Sequence, residues 1–213
     1  MLDPIERALA AEIRESCCMG EIFIRRTPAA GFVLCHRDDE SKDAAQVLQG
    51  AEAAVEIAKY DDAGNYRPLK TAPTLRHGWR MQLADLGELR RALDYFYPGR
   101  LAMLCAWKQN RLVTTPLRET LDRQSGMYRI AAKVSDEQID EIVRNFCRSN
   151  GGCLRTILWK RNATGAIAST KFLPQKFEPS YDQTGRGQRT VPLLCQEPCH
   201  LLVNECRKAV KRE

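Results

Sequence analysis

The chain has 213 residues, of which 44% are hydrophobic and 28% charged, and its 33 Lys and Arg residues outnumber 27 Asp and Glu. This composition is typical of an ordinary globular protein and excludes a collagen, a disordered tail and a disulfide-rich miniprotein. No apolar run approaches the roughly 20 residues that a membrane-spanning helix needs. The first seven residues carry acidic side chains where a secretory signal would be basic. We therefore expect a soluble, cytoplasmic protein that does not bind a membrane.

The first half of the chain predicts several helices around one small hairpin. Two apolar-rich runs, 21–26 and 31–37, flank the turn residues 27–30, a pattern typical of a β-hairpin. Residues 66–83 are expected to be irregular or extended, because two prolines would break a helix there. Apolar residues at helical spacing predict four helices in this half, over 4–18, 43–59, 86–97 and 101–107.

The second half contains clear helix start signals. Ser135-x-x-Gln138 is a capping-box pattern that opens a helix ending at Cys147. Pro198 fits the first position of a terminal helix that reaches about Lys211. Because Pro198 would begin that helix, Cys199 is expected in its first turn.

The two halves also differ in charge, and we interpret them as two domains. Residues 1–106 carry 14 basic and 16 acidic side chains, whereas residues 107–213 carry 19 and 11. We place the boundary near Thr114, although no Gly/Ser-rich linker marks it. The predicted fold class is α+β, with a helix-rich domain and small hairpin over 1–114 and a small, mostly helical domain over 115–213.

Nine cysteines are about 4% of the residues, too few and too odd in number for a disulfide framework. In a reducing compartment, clustered cysteines indicate metal or redox chemistry more often than disulfides. Cys147 and Cys153 flank a helix-ending turn, and Cys195 and Cys199 flank the start of the terminal helix. A helix N-terminus carries a partial positive charge that favours thiolates and anionic clusters. The complete pattern is C-x5-C, then 41 residues, then C-x3-C.

Four thiolates in two pairs can bind either a zinc ion or an iron–sulfur cluster. Structural zinc sites favour gaps of two to four residues in both pairs. A five-residue gap with a double glycine makes a wider arc, which suits ligands bound to different irons of one 4Fe-4S cluster. The predicted site residues are the ligands Cys147, Cys153, Cys195 and Cys199, with Gly151 and Gly152 donating backbone N–H groups to the cluster sulfurs.

The remaining cysteines and the histidines are expected to form no second site, and a metal site from Cys17, Cys18, Cys35 and His36 is the less favoured alternative. Cys206 lies seven residues after Cys199, about 10.5 Å along a helix at roughly 1.5 Å per residue, so it is expected in the core. The three histidines are scattered and form no pair typical of a chelatase metal site. The other cysteines are expected to be buried apolar side chains: Cys17, Cys18, Cys35 and Cys105.

The basic excess of the second half leaves two interpretations open. It is either a solvated face or a binding surface for an anionic group, such as a carboxylate ligand, an acidic protein or a negatively charged cluster. The basic stretch lacks the interleaved aromatic residues of an RNA-binding sheet, so we do not expect nucleic acid as the partner of a cluster protein. The alternative hypothesis is a four-cysteine zinc module that binds nucleic acid through this surface.

Four sequence runs resemble the accessory region that follows the chelatase domains of certain sirohydrochlorin cobaltochelatase-like proteins. The runs cover residues 66–79, 117–128, 153–159 and 198–203. The resemblance implies a stabilising domain followed by a 4Fe-4S cluster-binding domain whose ligands match the four cysteines of the two pairs. The cysteine spacing is also similar to the cluster motif of siroheme sulfite and nitrite reductases.

The cluster and the resemblance together suggest a function. A 4Fe-4S protein of this kind would act in electron transfer or redox sensing. The resemblance implies a link to sirohydrochlorin, siroheme or cobalamin metabolism, with a redox protein or a chelatase-like protein as partner and an anionic tetrapyrrole as a candidate ligand. The chain contains no chelatase half and no nucleophile–base–acid set, so the sequence leaves open whether it is an enzyme.

Overall fold

The structure is a computed structural model that describes residues 2–44, 46–67, 74–147, 153–165 and 190–212. The described residues form two compact units. One unit contains the residues up to Arg111 together with Thr190–Leu193, and the other contains Leu112 to Gly165 together with the residues from Leu194 onward. Helices and a mixed sheet are both present, which confirms the predicted α+β class.

Short strands in the described residues form two sheets. Six strands form a mixed sheet in the first unit, and two strands pair in the second unit. Numbered along the chain, the strands are β1 (Ser16–Met19), β2 (Ile22–Arg26), β3 (Phe32–His36), β4 (Gln46–Gln49), β5 (Trp79–Leu83), β6 (Thr156–Ile157), β7 (Thr190–Val191) and β8 (Leu194–Cys195).

The six-stranded sheet has the order β4-β5-β3-β2-β1-β7. Its four central strands pair antiparallel, while β4 pairs parallel with β5 and β7 pairs parallel with β1 at the two edges. The predicted hairpin is present as β2 and β3, but it lies at the centre of a larger sheet. The sequence predicted only a small isolated hairpin, so it underestimated the number of strands in this sheet.

Seven α-helices are described alongside the strands. Helices α1 to α4 belong to the first unit, where α3 contacts α1, α2, α4 and β5, and α5 to α7 belong to the second. They are α1 (Pro4–Glu12), α2 (Ala54–Lys59), α3 (Leu86–Phe96), α4 (Arg100–Lys108), α5 (Leu117–Asp122), α6 (Asp136–Ile142) and α7 (His200–Lys211). Among the described residues, no helix has the length and apolar character needed to cross a lipid bilayer.

The predicted helix over 4–18 ends early because its last residues form a strand. Helix α1 stops at Ile13, whose backbone is extended, and β1 then pairs with β2 through a tight turn at Gly20. Gly20 has a φ of +60°, and a Cβ there would lie 2.5 Å from the Tyr97 hydroxyl oxygen. Only glycine fits both the left-handed backbone and the close approach of Tyr97.

The predicted helix over 43–59 is wrong in its first half. Residues Gln46–Gln49 form β4, which is held by backbone bonds to β5, and only Ala54–Lys59 is α-helical. The alanine-rich sequence favours a helix locally, but pairing with a strand more than 30 positions away overrides that propensity. The helices predicted over 86–97 and 101–107 are confirmed as α3 and α4.

A buried charge network lies in the first unit, beside the β1–β2 turn. The Glu21 carboxylate accepts hydrogen bonds from Arg67 Nη2 at 3.2 Å and from the Leu75 amide at 3.0 Å. The Glu21 amide donates to the Tyr97 hydroxyl at 2.8 Å, and His36 Nε2 lies 3.5 Å from the second carboxylate oxygen. Because Glu21 and Arg67 are both almost fully buried, their opposite charges stabilise each other in the interior.

The second unit is organised by two arginines that bind helix α6. Arg118 donates to the backbone of the 3-10 segment Gly126–Lys133, which lies just before α6 in the chain. Arg118 also pairs with Asp136. Arg161 pairs with the same Asp136 and with Asp140 one turn later. These ion pairs attach α5 and the chain after β6 to the start of α6. This unit also contains the paired strands β6 and β8. The prediction that the whole domain is mostly helical therefore stays a prediction.

We expect Glu21→Gln to lower the free energy of unfolding by about 3–5 kcal/mol, because it removes the buried carboxylate that faces the buried Arg67 guanidinium. Urea unfolding of the cluster-loaded chain measures this. The matched control is Glu52→Gln, which removes an exposed carboxylate 3.9 Å from Arg91 and should cost no more than about 1 kcal/mol. Equal losses in the two variants would show that the buried pair has no special role.

Candidate metal centre

Cys147 lies at the end of a continuous helical segment. Ser135 caps α6, and its side chain and that of Gln138 make the reciprocal capping-box bonds predicted from the sequence. After Ile142 the helix widens into one π-helical turn, Val143–Cys147. Such turns are rare and occur often at functional sites. Cys147 is half-buried and packs against the core of the second unit.

Cys153 returns to the same place after five residues. Its amide donates to the Phe146 carbonyl at 3.3 Å, which places Cys153 beside the end of the π-helical turn. Gly151 and Gly152 lie outside the described residues, so their predicted role as N–H donors remains a prediction.

The pairing of β6 with β8 brings the second cysteine pair to the first. Ile157 is the partner of Cys195 in this short parallel ladder, and the Leu158 amide donates to the Cys195 carbonyl at 2.9 Å. Cys195 is therefore fixed by backbone bonds to the strand that follows Cys153. The chain reaches Cys199 four residues later.

Cys199 is the N-cap of α7, whose first residue is His200. The prediction that Pro198 opens the helix and that Cys199 lies in its first turn is wrong by two positions. The Cys199 carbonyl accepts the amide of Val203 at 3.1 Å, as an N-cap carbonyl should. The thiol therefore projects from the end of the helix where backbone N–H groups are exposed and the dipole is positive.

All four predicted cysteines line one cavity in the second unit. The cavity contains about 310 Å³ of space not filled by protein atoms, including some open to solvent. Apolar side chains and one arginine complete its wall. The lining residues besides the four cysteines are Phe146, Arg155, Ile157, Trp159, Pro198 and Leu202.

The four thiols are not gathered as closely as the ligands of one zinc ion. Four sulfurs around a zinc ion at about 2.3 Å lie about 3.8 Å from one another in a tetrahedron. In the described part of the chain, no three cysteine sulfurs lie within 4.8 Å of one another.

Cys195 is the most buried of the four thiols. Burial raises the pKa of Cys195, and the neighbouring Cys153 and Cys199 raise it further; the Trp159 indole and Arg155 act in the opposite direction. The indole Nε1 donates to Cys195 Sγ at 3.3 Å, and Trp159 is itself buried. These donors stabilise negative charge on sulfur, which every thiolate-bound cluster requires.

The other cysteines lie apart from this cavity lining. Cys206 is completely buried next to Leu202 and Val203 in the core of the second unit, as its spacing predicted. Burial raises the pKa of Cys206 to about 11, so it stays a neutral thiol. Cys18 and Cys35 pack with Phe23 in a small apolar cluster of the first unit.

Two of the three histidines, which are scattered in the sequence, lie side by side in the structure. His36 and His77 have ring centroids 3.8 Å apart, and both lie close to Asp39. They are 41 positions apart in the sequence, so no local spacing signal reveals them. His36 ends β3 and His77 precedes β5, and it is the antiparallel pairing of these strands that brings them together.

Two protein families match adjacent parts of the chain. Residues 109–208 match the 4Fe-4S iron–sulfur cluster binding domain, and residues 6–111 match the DR2241 stabilising domain. The chain is therefore a 4Fe-4S cluster-binding protein by class, and the predicted cofactor is confirmed. More particularly, the match to the DR2241 stabilising domain precedes the match to the cluster-binding domain along the chain, in the order that the sequence predicts.

One solved structure extends this result over nearly the whole chain. DR2241 from Deinococcus radiodurans is similar over 98% of this chain, with 28% identity and a TM-score of 0.72. It is described as a multi-domain protein with structural similarity to chelatases and two additional novel domains. The present chain spans only 41% of the length of that protein. No curated protein sequence matches the chain.

These matches confirm the resemblance to the accessory region of chelatase-like proteins. They concern the domains, not individual ligands, so the assignment of the four cysteines stays a prediction. The similarity to siroheme reductases also stays a prediction based on cysteine spacing.

Proposed function

We propose that Cys147, Cys153, Cys195 and Cys199 bind one 4Fe-4S cluster, with residues 1–114 acting as the stabilising domain and 115–213 as the cluster domain. The observation that carries the proposal is the single cavity lined by all four thiols. Cys147 lies in a π-helical turn, Cys195 in β8 and Cys199 at a helix N-cap, and Cys153 lies in the segment before β6.

The residues around the cavity fit a cluster with thiolate ligands. Cys195 donates its S–H to the Glu197 carbonyl at 3.2 Å. The thiol would lose this proton when its sulfur binds iron. The Trp159 N–H and the Arg155 guanidinium remain to compensate the negative charge. When bound, the cluster supplies one-electron redox chemistry. The chain's own residues exclude water with apolar walls and hold hydrogen-bond donors at the sulfur.

Replacing any one of the four proposed ligands by serine should remove most of the bound iron. Wild-type chain reconstituted anaerobically is expected to hold about four irons with four sulfides, measured by iron and sulfide analysis and visible absorbance. Cys206→Ala and Cys105→Ala are the controls, because both thiols are buried outside the cavity lining. Full iron content in a ligand variant, or loss in both controls, would contradict the assignment. A colourless wild-type product holding one zinc ion would contradict it as well.

We propose further that the cluster acts in electron transfer or redox sensing. Hydrogen bonds to cluster ligands and the burial of the site set the reduction potential. Trp159 supplies such a bond from an indole that is almost fully buried, so its contribution is little screened by water. A site that binds iron only for structural reasons would not need a tuned potential.

Trp159→Phe should keep the apolar wall but remove the N–H donor. We expect iron content near that of wild type and a reduction potential shifted to more negative values, because the reduced state carries one more negative charge. Protein-film voltammetry measures the shift. Trp107→Phe, in the other unit, is the matched control and should leave the potential unchanged. An unchanged potential in Trp159→Phe with full iron content would show that this bond does not tune the cluster.

We also propose that the chain serves tetrapyrrole metabolism together with a chelatase-like partner. Two observations support this: the similarity to DR2241, whose description records likeness to chelatases, and the net charge of +8 over residues 107–213. A positively charged surface attracts a carboxylate-rich tetrapyrrole. Among the described basic residues, Arg155 lines the cavity, and Lys160, three positions after β6, is exposed.

Titration of the cluster-loaded chain with sirohydrochlorin tests this link. Binding should be saturable, should weaken as salt rises, and should weaken in Arg155→Gln. Arg129→Gln, an exposed arginine of the same unit that does not line the cavity, is the control. Binding of equal strength in wild type and Arg155→Gln would argue for a general charge effect. No binding to sirohydrochlorin would remove the tetrapyrrole from the proposal while leaving the cluster assignment intact.

The zinc module with a nucleic-acid surface is not favoured. The matched family binds 4Fe-4S clusters, and no three cysteine sulfurs of the described residues lie within 4.8 Å of one another. We therefore retain the iron–sulfur proposal alone.

A further inference from the structure

The first unit contains a group of metal-ligating side chains that the cluster does not use. His36, Asp39 and His77 each offer a ligand atom, and these atoms lie within 4.8 Å of one another. Two imidazoles and one carboxylate form a donor set that suits zinc, cobalt or nickel and contains no sulfur. We propose that this group binds a divalent first-row transition metal ion, separate from the iron–sulfur cluster.

The Asp39 carboxylate is prepared as a ligand. Its Oδ1 accepts a hydrogen bond from Lys42 Nζ at 2.9 Å, and the Asp39 side chain is only 8% exposed. Gly78 N–H lies 2.8 Å from Oδ2, which fixes the orientation of the group from the β5 side.

His36 has the tautomer and the support that a metal ligand needs. Its Nδ1 accepts the Asp38 amide proton at 3.1 Å, so in the neutral ring the proton lies on Nε2. Nε2 lies 3.5 Å from the Glu21 carboxylate, which is itself held by Arg67. Metal-binding histidines commonly donate their second nitrogen to such a carboxylate. A metal ion at Nδ1 would replace the hydrogen bond that Nδ1 accepts from the Asp38 amide.

His77 and Lys42 leave the site accessible from solvent. The His77 side chain is 48% exposed and its Nδ1 lies 3.3 Å from Asp39 Oδ2. Lys42 places its ammonium 2.9 Å from Asp39 Oδ1, but its side chain is 61% exposed and can move away when a cation binds. Three protein ligands leave a fourth position open, as in zinc sites that exchange water or substrate rather than in closed structural sites.

Zinc binding to the cluster-loaded full chain tests the proposal, because in that state the cluster already occupies the reactive thiols. Titration calorimetry under anaerobic conditions should show one zinc ion per chain, with iron content unchanged. His77→Gln and Asp39→Asn should each weaken zinc binding at least about tenfold. Replacing a residue that only hydrogen-bonds to a metal ligand commonly costs that much in affinity. His77 is exposed, so its replacement should leave the fold intact. Asp62→Asn, an exposed aspartate of the same unit, is the matched control and should bind as wild type does.

Zinc K-edge absorption distinguishes this site from zinc bound to cysteines. The expected spectrum contains imidazole nitrogen and oxygen at about 2.0–2.2 Å and no sulfur at about 2.3 Å. Wild-type affinity in both His77→Gln and Asp39→Asn would overturn the assignment. Sulfur in the first shell of the bound zinc, or no zinc binding by wild type, would overturn it too.

Discussion

The candidate cluster site depends on two residue pairs of parallel β-structure. The pairs are Thr156 with Leu194 and Ile157 with Cys195. They join the segment after Cys153 to the segment that contains Cys195, and 41 residues lie between these two cysteines. Closing a loop of that length carries a scaling cost of about 3 kcal/mol, while each hydrogen bond returns only about 1 kcal/mol. So short a ladder cannot close the loop by itself. The buried side chains of Trp159, Ile157 and Leu194 must contribute the remainder, and bonds from four cysteines to one cluster would add to them.

Because the ladder alone does not offset the cost of loop closure, the buried side chain of Trp159 is important to the site. Its ring is buried in the core that also contains Leu202 and Cys206, and its N–H is directed at Cys195. One side chain thus contributes apolar packing to the loop closure and a hydrogen bond to a proposed ligand. A phenylalanine would keep most of the packing and lose the bond, which is why the two contributions can be separated experimentally.

Local signals in the sequence were sufficient where the structure is local. The Ser135–Gln138 capping box, the hairpin of β2 and β3 and the helices α3 and α4 follow from patterns within a few residues. The strands β1 and β4 were missed because their hydrogen bonds come from other strands, against local helix propensity. The four cysteines were identified by their spacing, whereas His36 and His77 meet only because β3 and β5 pair. A single sequence does not show such pairing.

The two candidate metal sites differ in the hardness of their donors and in how they are held. Four thiolates select iron–sulfur clusters or zinc, whereas two imidazoles with a carboxylate accept several divalent ions. Asp39 is fixed by Gly78 and His36 by Glu21, so two of the three ligands of the second site are anchored to the same buried charge network and sheet that stabilise the first unit. His77 alone is exposed. An ion could therefore enter and leave by movement of the exposed side chains of His77 and Lys42, without disturbing the core. Such an arrangement favours exchange of the ion over permanent structural binding.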